Sequence, residues 1–324
     1  MLKKIYIRNE KLMERKNKYP FMTFILSIGG LIFFVFVIKT SILDANNIPS
    51  SSMEPTLMIG DFLFVNKMRY TLDVPFTNIH IVRLSYPQRG DIVTFTPPQY
   101  EKNLQGKTLV KRVVAVPGDT VEVVENEIRI SGTSYPVRLT EDKKLIASLG
   151  EDTRNEEMIS HHKLYVEKII HPFTGEVVVE HYMMKIPNES QPTMHTPGRI
   201  WKIPPGKFLM MGDNRDNSED CRACSMVEQP DNTLCRQYNE CQSRNRSSLA
   251  GKNECTDLLN EKSPTWGLID ADKIHGKVYL AYFSVDWGTG AKKQDNPIFN
   301  IGHTLIGDYK GVSIRWNRIF KRIY

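Results

Sequence analysis

Helical periodicity is scarce in this 324-residue sequence. Outside one apolar run near the N-terminus, no long stretch carries apolar residues at helical spacing, which argues against a helical bundle. No segment repeats at solenoid spacing, so stacked-repeat architectures drop out as well. Cysteine is sparse, and its five residues, Cys221, Cys224, Cys235, Cys241 and Cys255, all fall in one short region. The eight histidines form no catalytic arrangement: His161 and His162 adjoin in a polar loop and the others are scattered, so they read as surface or structural residues. Apolar content is not lacking. At 40% hydrophobic residues the chain has enough for a real core, which excludes a disordered protein.

Charge is missing from residues 21–38, "FMTFILSIGGLIFFVFVI", where Thr23 and Ser27 are the polar side chains. As a helix this run is roughly 27 Å long, close to a bilayer core. A cleaved signal peptide would have a shorter apolar region and an Ala-x-Ala site after it, and neither is present. Lys3, Lys4, Arg8, Lys11, Arg15, Lys16 and Lys18 precede the run, against Glu10 and Glu14. The positive-inside rule then predicts a cytoplasmic N-terminus with the rest of the chain on the outer side, in contact with membrane lipid. The net charge of +6 is concentrated at the two chain ends, which favours a membrane surface and argues against nucleic acid. In an external compartment the cysteines are expected to form two disulfides and leave one free thiol; Cys221-x2-Cys224 also has zinc-ligand spacing, the less favoured alternative.

After the span, "GDFLFVNKMRY", "GDIVTFTPP", "TLVKRVVAVPGDTVEVVENEIRI" and "GKVYLAYFSVD" are Val-, Ile-, Phe- and Tyr-rich runs bounded by Gly, Pro and Asp, and read as strands. The expected fold is mainly β: an N-terminal transmembrane helix, then an antiparallel β-barrel-like domain with a smaller β domain inserted. The predicted division is a basic cytoplasmic segment (1–19), a transmembrane helix (20–42), a main β domain in three parts (43–120, 201–222 and 265–310), an inserted β domain (121–200), a Cys-rich insertion (223–264) and a basic aromatic tail (311–324). The insertion is too poor in apolar residues for a core. The tail, "IRWNRIFKRIY", suits either an interfacial amphipathic segment or a packed terminal element.

Three serines in a row, "IPSSSMEPTLMIGD", could be a polar turn or could hold a nucleophile, which would need a base. Lys111 is an odd residue in the apolar strand "TLVKRVVAV", where alternation places it on one face with Leu109 and Val113. Burial lowers a lysine pKa, and a neutral amine is a competent general base; the bland reading is an edge or snorkelling lysine. A third stretch, "GDNRDNSEDCR", packs Asp–Arg pairs and a serine into a turn-rich loop suited to bracing a site.

Together these motifs, in this order behind a span of this orientation, resemble the bacterial type I signal peptidases, serine proteases with a Ser/Lys dyad. The resemblance implies Ser52 as nucleophile, Lys111 as general base, and an oxyanion hole made by the Ser50 side chain and the Ser52 backbone N–H. It implies Ser218 as the hydroxyl that holds the lysine amine, and Asp213, Arg215, Asp220 and Arg222 as structural ion-pair residues, with Arg112 a partner for Asp213. Ser51 stands where relatives usually have Gly, so its hydroxyl is expected to be incidental. Met53 and Leu57 are expected to wall off the lysine. Ile48, Pro49, Leu109 and Val110 join them in binding an extended peptide, with small side chains before the cut.

The implied activity is cleavage of signal peptides from exported preproteins, with no metal or organic cofactor; oligomeric state is not implied. A specialised pilin- or conjugation-type maturation peptidase, or an inactive membrane-tethered scaffold of the same fold, are the alternatives. Two departures stand out: Cys221 where a serine is common, and residues 223–264 before "WG" at Trp266 and Gly267.

Overall fold

The computed structural model describes residues 20–74, 77, 80–97, 106–124, 127–142, 145, 162–187, 200–222, 237, 240–241, 244, 267–286 and 313–323. The basic segment 1–19, nearly all of 223–264 and Trp266 lie outside these residues.

The apolar run forms helix α1, Pro20–Ser41, 22 residues long. Ser27 Oγ donates to the Thr23 carbonyl oxygen at 2.7 Å, which satisfies the hydroxyl within the helix. The helix is apolar around its circumference, and Phe21, Phe24, Leu26, Leu31 and Phe33 are between 62% and 75% exposed. Among the described residues no helix is long and apolar enough to cross a membrane; the side chains of α1 described without a gap run only from 21 to 35.

The rest is mainly β, as its β-branched and aromatic runs dictate. The strands are β1 (Leu43–Asn47), β2 (Asp61–Asn66), β3 (Thr71–Asp73), β4 (His80–Arg83), β5 (Ile92–Phe95), β6 (Leu109–Ala115), β7 (Thr120–Val124), β8 (Glu127–Ile130) and β9 (Thr133–Ser134). They continue as β10 (Val137–Leu139), β11 (Lys163–Ile170), β12 (Val177–Lys185), β13 (Ile200–Lys202), β14 (Lys207–Met211), β15 (Ile269–Asp270), β16 (Ile274–Asp286), β17 (Ser313–Ile314) and β18 (Lys321–Arg322).

The main sheet is antiparallel in the order β1-β2-β16-β5-β6-β14-β15, with β17 and β18 paired to β16. The path has two ends, so this barrel-like sheet is not closed. Strand β2 alternates buried and half-buried residues, whereas β5 and the last five residues of β6 are buried on both faces. At Gly276 a Cβ would come within 2.6 Å of the Asn66 carbonyl oxygen, so only glycine lets β16 pass this close to β2.

The excursion over 121–200 supplies most of two further sheets, β13-β7-β8-β9 and β10-β11-β12. It leans on the main sheet through a shared core, in which Val114, Ala115, Leu209 and Met211 meet Val121, Ile128, Ile130, Ile169 and Trp201. At the C-terminus the packed alternative is the one found: β18 pairs with β16, and Arg318 is buried, with its Nε donating to Asp61 Oδ1 at 3.0 Å and its Nη2 to the Thr56 carbonyl oxygen at 3.0 Å. Trp316 and Phe320 face outward from this anchored segment, 73% and 71% exposed.

Candidate active site

The serine run begins extended at Ser50 and tightens into a 3-10 turn over Ser51–Met53. The turn is pinned from below because Met53 and Leu57 are buried in one cluster with Ile48, Leu63, Val65 and Ile92. From the side it is held by the loop 212–217. Asn214 N donates to the Ser52 carbonyl oxygen at 3.1 Å and Asn214 Nδ2 to the Ser51 carbonyl oxygen at 3.2 Å. Asn217 Nδ2 donates to Ser51 Oγ at 2.9 Å, which ties this hydroxyl to the same loop.

Lys111 lies on β6 opposite Val93 of β5 and is 3% exposed. Its Nζ donates to Ser52 Oγ at 2.6 Å. Burial lowers its pKa to about 8, with the Asp220 carboxylate opposing the shift and the Arg222 guanidinium reinforcing it. Ser50 Oγ is 3.5 Å from Ser52 Oγ, on the same side of the turn as the cleft. Ser218 is buried, and it lies so close to Gly212 that a Cβ there would overlap Ser218 Oγ and the Ser52 carbonyl oxygen.

The charged residues behind Ser52 and Lys111 follow from register. Arg112 sits opposite Met211 of β14, so the chain leaving β14 delivers Asp213 to its guanidinium. Arg112 Nε and Nη2 donate to the two oxygens of Asp213 at 2.8 Å each, and Nη1 donates to the Gly90 carbonyl oxygen at 2.9 Å. Asp213 also accepts from Thr56 Oγ1 at 2.5 Å, tying this pair to the nucleophile loop. Arg222 Nε and Nη2 donate to Asp220 at 2.8 and 2.7 Å, and Asp220 accepts the Gly212 N–H at 3.0 Å.

Arg215 pairs with Glu167 on β11, a residue the sequence reading did not single out. Glu167 faces His181 directly across β11 and β12, and His181 Nε2 lies 3.0 Å from Glu167 Oε2, with Nδ1 3.0 Å from the Tyr182 carbonyl oxygen and 3.6 Å from Asp213 Oδ1. Burial would raise the carboxyls of Glu167 and Asp213, but Arg215 and His181 around the first and Arg112 and His181 around the second hold both below the usual range. The signal that marks Lys111, a charge set in an otherwise apolar strand, is also present at Glu167 in "LYVEKII", where Lys168 follows it. Thr56, Asn214 and Asn217 carry no comparable mark.

A cleft of about 340 Å³ opens beside Ser52 and Lys111. One part of its wall is Asn46, Asn47, Ile48, Pro49 and Ser50 with Ser52 and Met53, and the other is Lys107, Thr108, Leu109, Val110 and Lys111. Ile48, Pro49, Met53, Leu109 and Val110 thus line it. Leu57 does not: with 0% exposure it supports the nucleophile loop from the core and is out of a substrate's reach. Cys221 is buried and free, while Cys224, Cys235 and Cys255 lie outside the described residues. Among the described residues no group of His, Cys, Asp and Glu has the arrangement to hold a metal ion.

Residues 21–235 match the family described as signal peptidase, peptidase S26. Signal peptidase I of Pseudomonas aeruginosa is 35% identical over 212 residues, covering 65% of this chain and 66% of its own. Signal peptidase I of Buchnera aphidicola subsp. Schizaphis graminum is 32% identical over 245 residues, covering 70% of this chain and 74% of its own. That of Aquifex aeolicus is 31% identical over 300 residues, covering 85% and 89%. With more than half of its length inside the family match, this chain belongs to the signal peptidase family, peptidase S26, and is a hydrolase of the serine-protease kind.

Proposed function

We propose that the chain is a membrane-anchored endopeptidase that removes N-terminal signal peptides from exported preproteins after small residues, using Ser52 and Lys111 as a dyad. The observation that carries this reading is the 2.6 Å bond between Lys111 Nζ and Ser52 Oγ at a desolvated position. Neutral Lys111 takes the serine proton as Oγ attacks the scissile carbonyl, and returns it to the leaving amine. The oxyanion develops against the Ser50 hydroxyl and the Ser52 N–H. Arg112, Asp213, Arg215, Asp220, Arg222 and Ser218 hold the loop and the amine in place, so no metal or organic cofactor is needed.

The anchor is α1, whose 22 residues rise about 33 Å at ~1.5 Å per residue and carry no charge before Lys39. With the basic residues ahead of it, the N-terminus is cytoplasmic and the β domain lies on the outer face of the plasma membrane. There Cys224, Cys235, Cys241 and Cys255 form two disulfides, leaving Cys221 as the odd thiol. The cleft walls at Ile48, Pro49, Met53, Leu109 and Val110 accept an extended peptide and leave room for short side chains.

The test uses full-length protein in detergent and a fluorogenic peptide carrying Ala-x-Ala before the cut. Wild type should cleave after the second Ala, by mass spectrometry of the products, and Ser52→Ala should not. Cleavage that survives in Ser52→Ala, or none by folded wild type, would end this reading.

A further inference from the structure

The cleft carries one cation that the reaction does not use. Lys107 lines it four residues before Lys111, together with Asn46 and Asn47. Unlike Lys111 it is exposed, and it makes no ion pair among the described residues. Among the described residues no Asp or Glu lines the cleft. Asp44, on β1 close by in sequence, is already engaged: its carboxylate accepts the Ala45 N–H at 2.9 Å and Asn46 Nδ2 at 3.4 Å. Among the described residues the cleft lining thus carries the Lys107 ammonium and the Asn46 and Asn47 carboxamides beside the apolar Ile48, Leu109 and Val110.

An extended chain advances about 3.3 Å per residue, so four residues of wall separate Lys107 from Lys111 by roughly 13 Å. A peptide lying extended in the cleft with its scissile bond at Ser52 brings a side chain about four residues from that bond beside the ammonium. We propose that Lys107 is a specificity-determining residue, selecting substrates with Asp or Glu about four residues from the scissile bond and disfavouring Lys or Arg there. This rests on the peptidase reading above. The pair is solvated, so the preference is about two- to fivefold for each charge and acts on binding. It weakens as salt screens it.

The experiment uses full-length protein in detergent and peptides with identical small residues at the cut and Glu, Gln or Lys at each position three to five residues away, on either side. One position should favour Glu over Lys at low salt. That ratio should approach one in Lys107→Gln, invert in Lys107→Glu and shrink in about 0.5 M salt. Equal ratios for wild type and Lys107→Glu at every position would overturn the proposal. The same peptides are titrated against Ser52→Ala, with and without Lys107→Glu, by fluorescence anisotropy. If wild type cuts none of them, the peptidase reading fails, while the binding ratios still decide for or against Lys107.

Discussion

In the proposed mechanism Lys111 accepts a proton and has to be neutral to do so; its burial outweighs the Asp220 carboxylate and brings the pKa to about 8. Two consequences follow for measurements. The kcat/KM of wild type should rise about tenfold per pH unit below 8 and level above it, because only the unprotonated amine accepts the serine proton. Stability should move the same way: between about 8 and 10.5 the unfolded chain holds the proton that the folded one has lost, so this group's contribution improves with rising pH across that window. Below pH 8 the folded state bears the full cost of a buried ammonium. Lys111→Arg keeps charge and reach but cannot deprotonate, and should lose about 10² to 10⁴ in kcat/KM while still melting cooperatively. A folded arginine variant with near-normal turnover would remove Lys111 from the chemistry. Gly212 makes a different residue-scale demand, since Gly212→Ala would drive a Cβ into Ser218 Oγ and the Ser52 carbonyl oxygen. It should cost about 1–3 kcal/mol in urea melts and lower activity, and a variant indistinguishable from wild type would show that the loop has slack.

At the scale of elements, the hairpin β11–β12 forms a wall of the catalytic loop. Met184 N donates to the Asp213 carbonyl oxygen at 2.9 Å and Arg215 N to the Met184 carbonyl oxygen at 2.8 Å, so the hairpin edge is hydrogen-bonded to the loop on both sides of Asn214. The buried Arg215–Glu167 pair fastens the same junction from within. Removing one partner leaves an uncompensated buried charge, and Glu167→Leu or Arg215→Leu alone should cost about 3–5 kcal/mol. The double substitution removes both charges and should cost clearly less than the sum, measured by urea unfolding at one pH. Strict additivity would mean that the pair is not the element holding the hairpin to the loop. The C-terminal segment does comparable work on the other side, where Arg318 bonds Asp61 and the Thr56 carbonyl oxygen and Arg315 Nη1 donates to the Ile59 carbonyl oxygen at 2.9 Å.

At the scale of the whole molecule, the proposed topology makes a simple forecast. Protease added outside intact spheroplasts should digest the chain beyond residue 43, and protection of residues 43–324 would refute the orientation. The segment 223–264 leaves the catalytic loop just after Arg222, and the described chain resumes at Gly267, which sits tight against Cys221: a Cβ at Gly267 would meet the Cys221 Cα at 2.7 Å. Cys221 and Gly267, the described residues that bracket the excursion, are thus close in space, and a deletion of 223–264 should fold and retain most peptide cleavage. If the deleted protein folds but is inactive, the excursion belongs to the site.

The sequence by itself determined the features whose physics is local. A chargeless run favours an apolar helix and β-branched runs between Gly and Pro favour strands, whereas a lysine in an apolar strand is equally compatible with an edge position; Ser52 and Lys111 were singled out by the resemblance, and the Arg112–Asp213 pair it implies is the one found. Tertiary structure alone decided what depends on strands distant in sequence meeting in register. Glu167 and His181 join the site because β11 pairs with β12 and β12 meets the 212–217 loop, and Ser51 is engaged because Asn217 is brought to it across 166 residues. Leu57 turned inward because packing claimed it for the core. The Arg-rich tail docked where buried Asp61 meets Arg318, since without the guanidinium that carboxylate would stand as a buried, uncompensated charge.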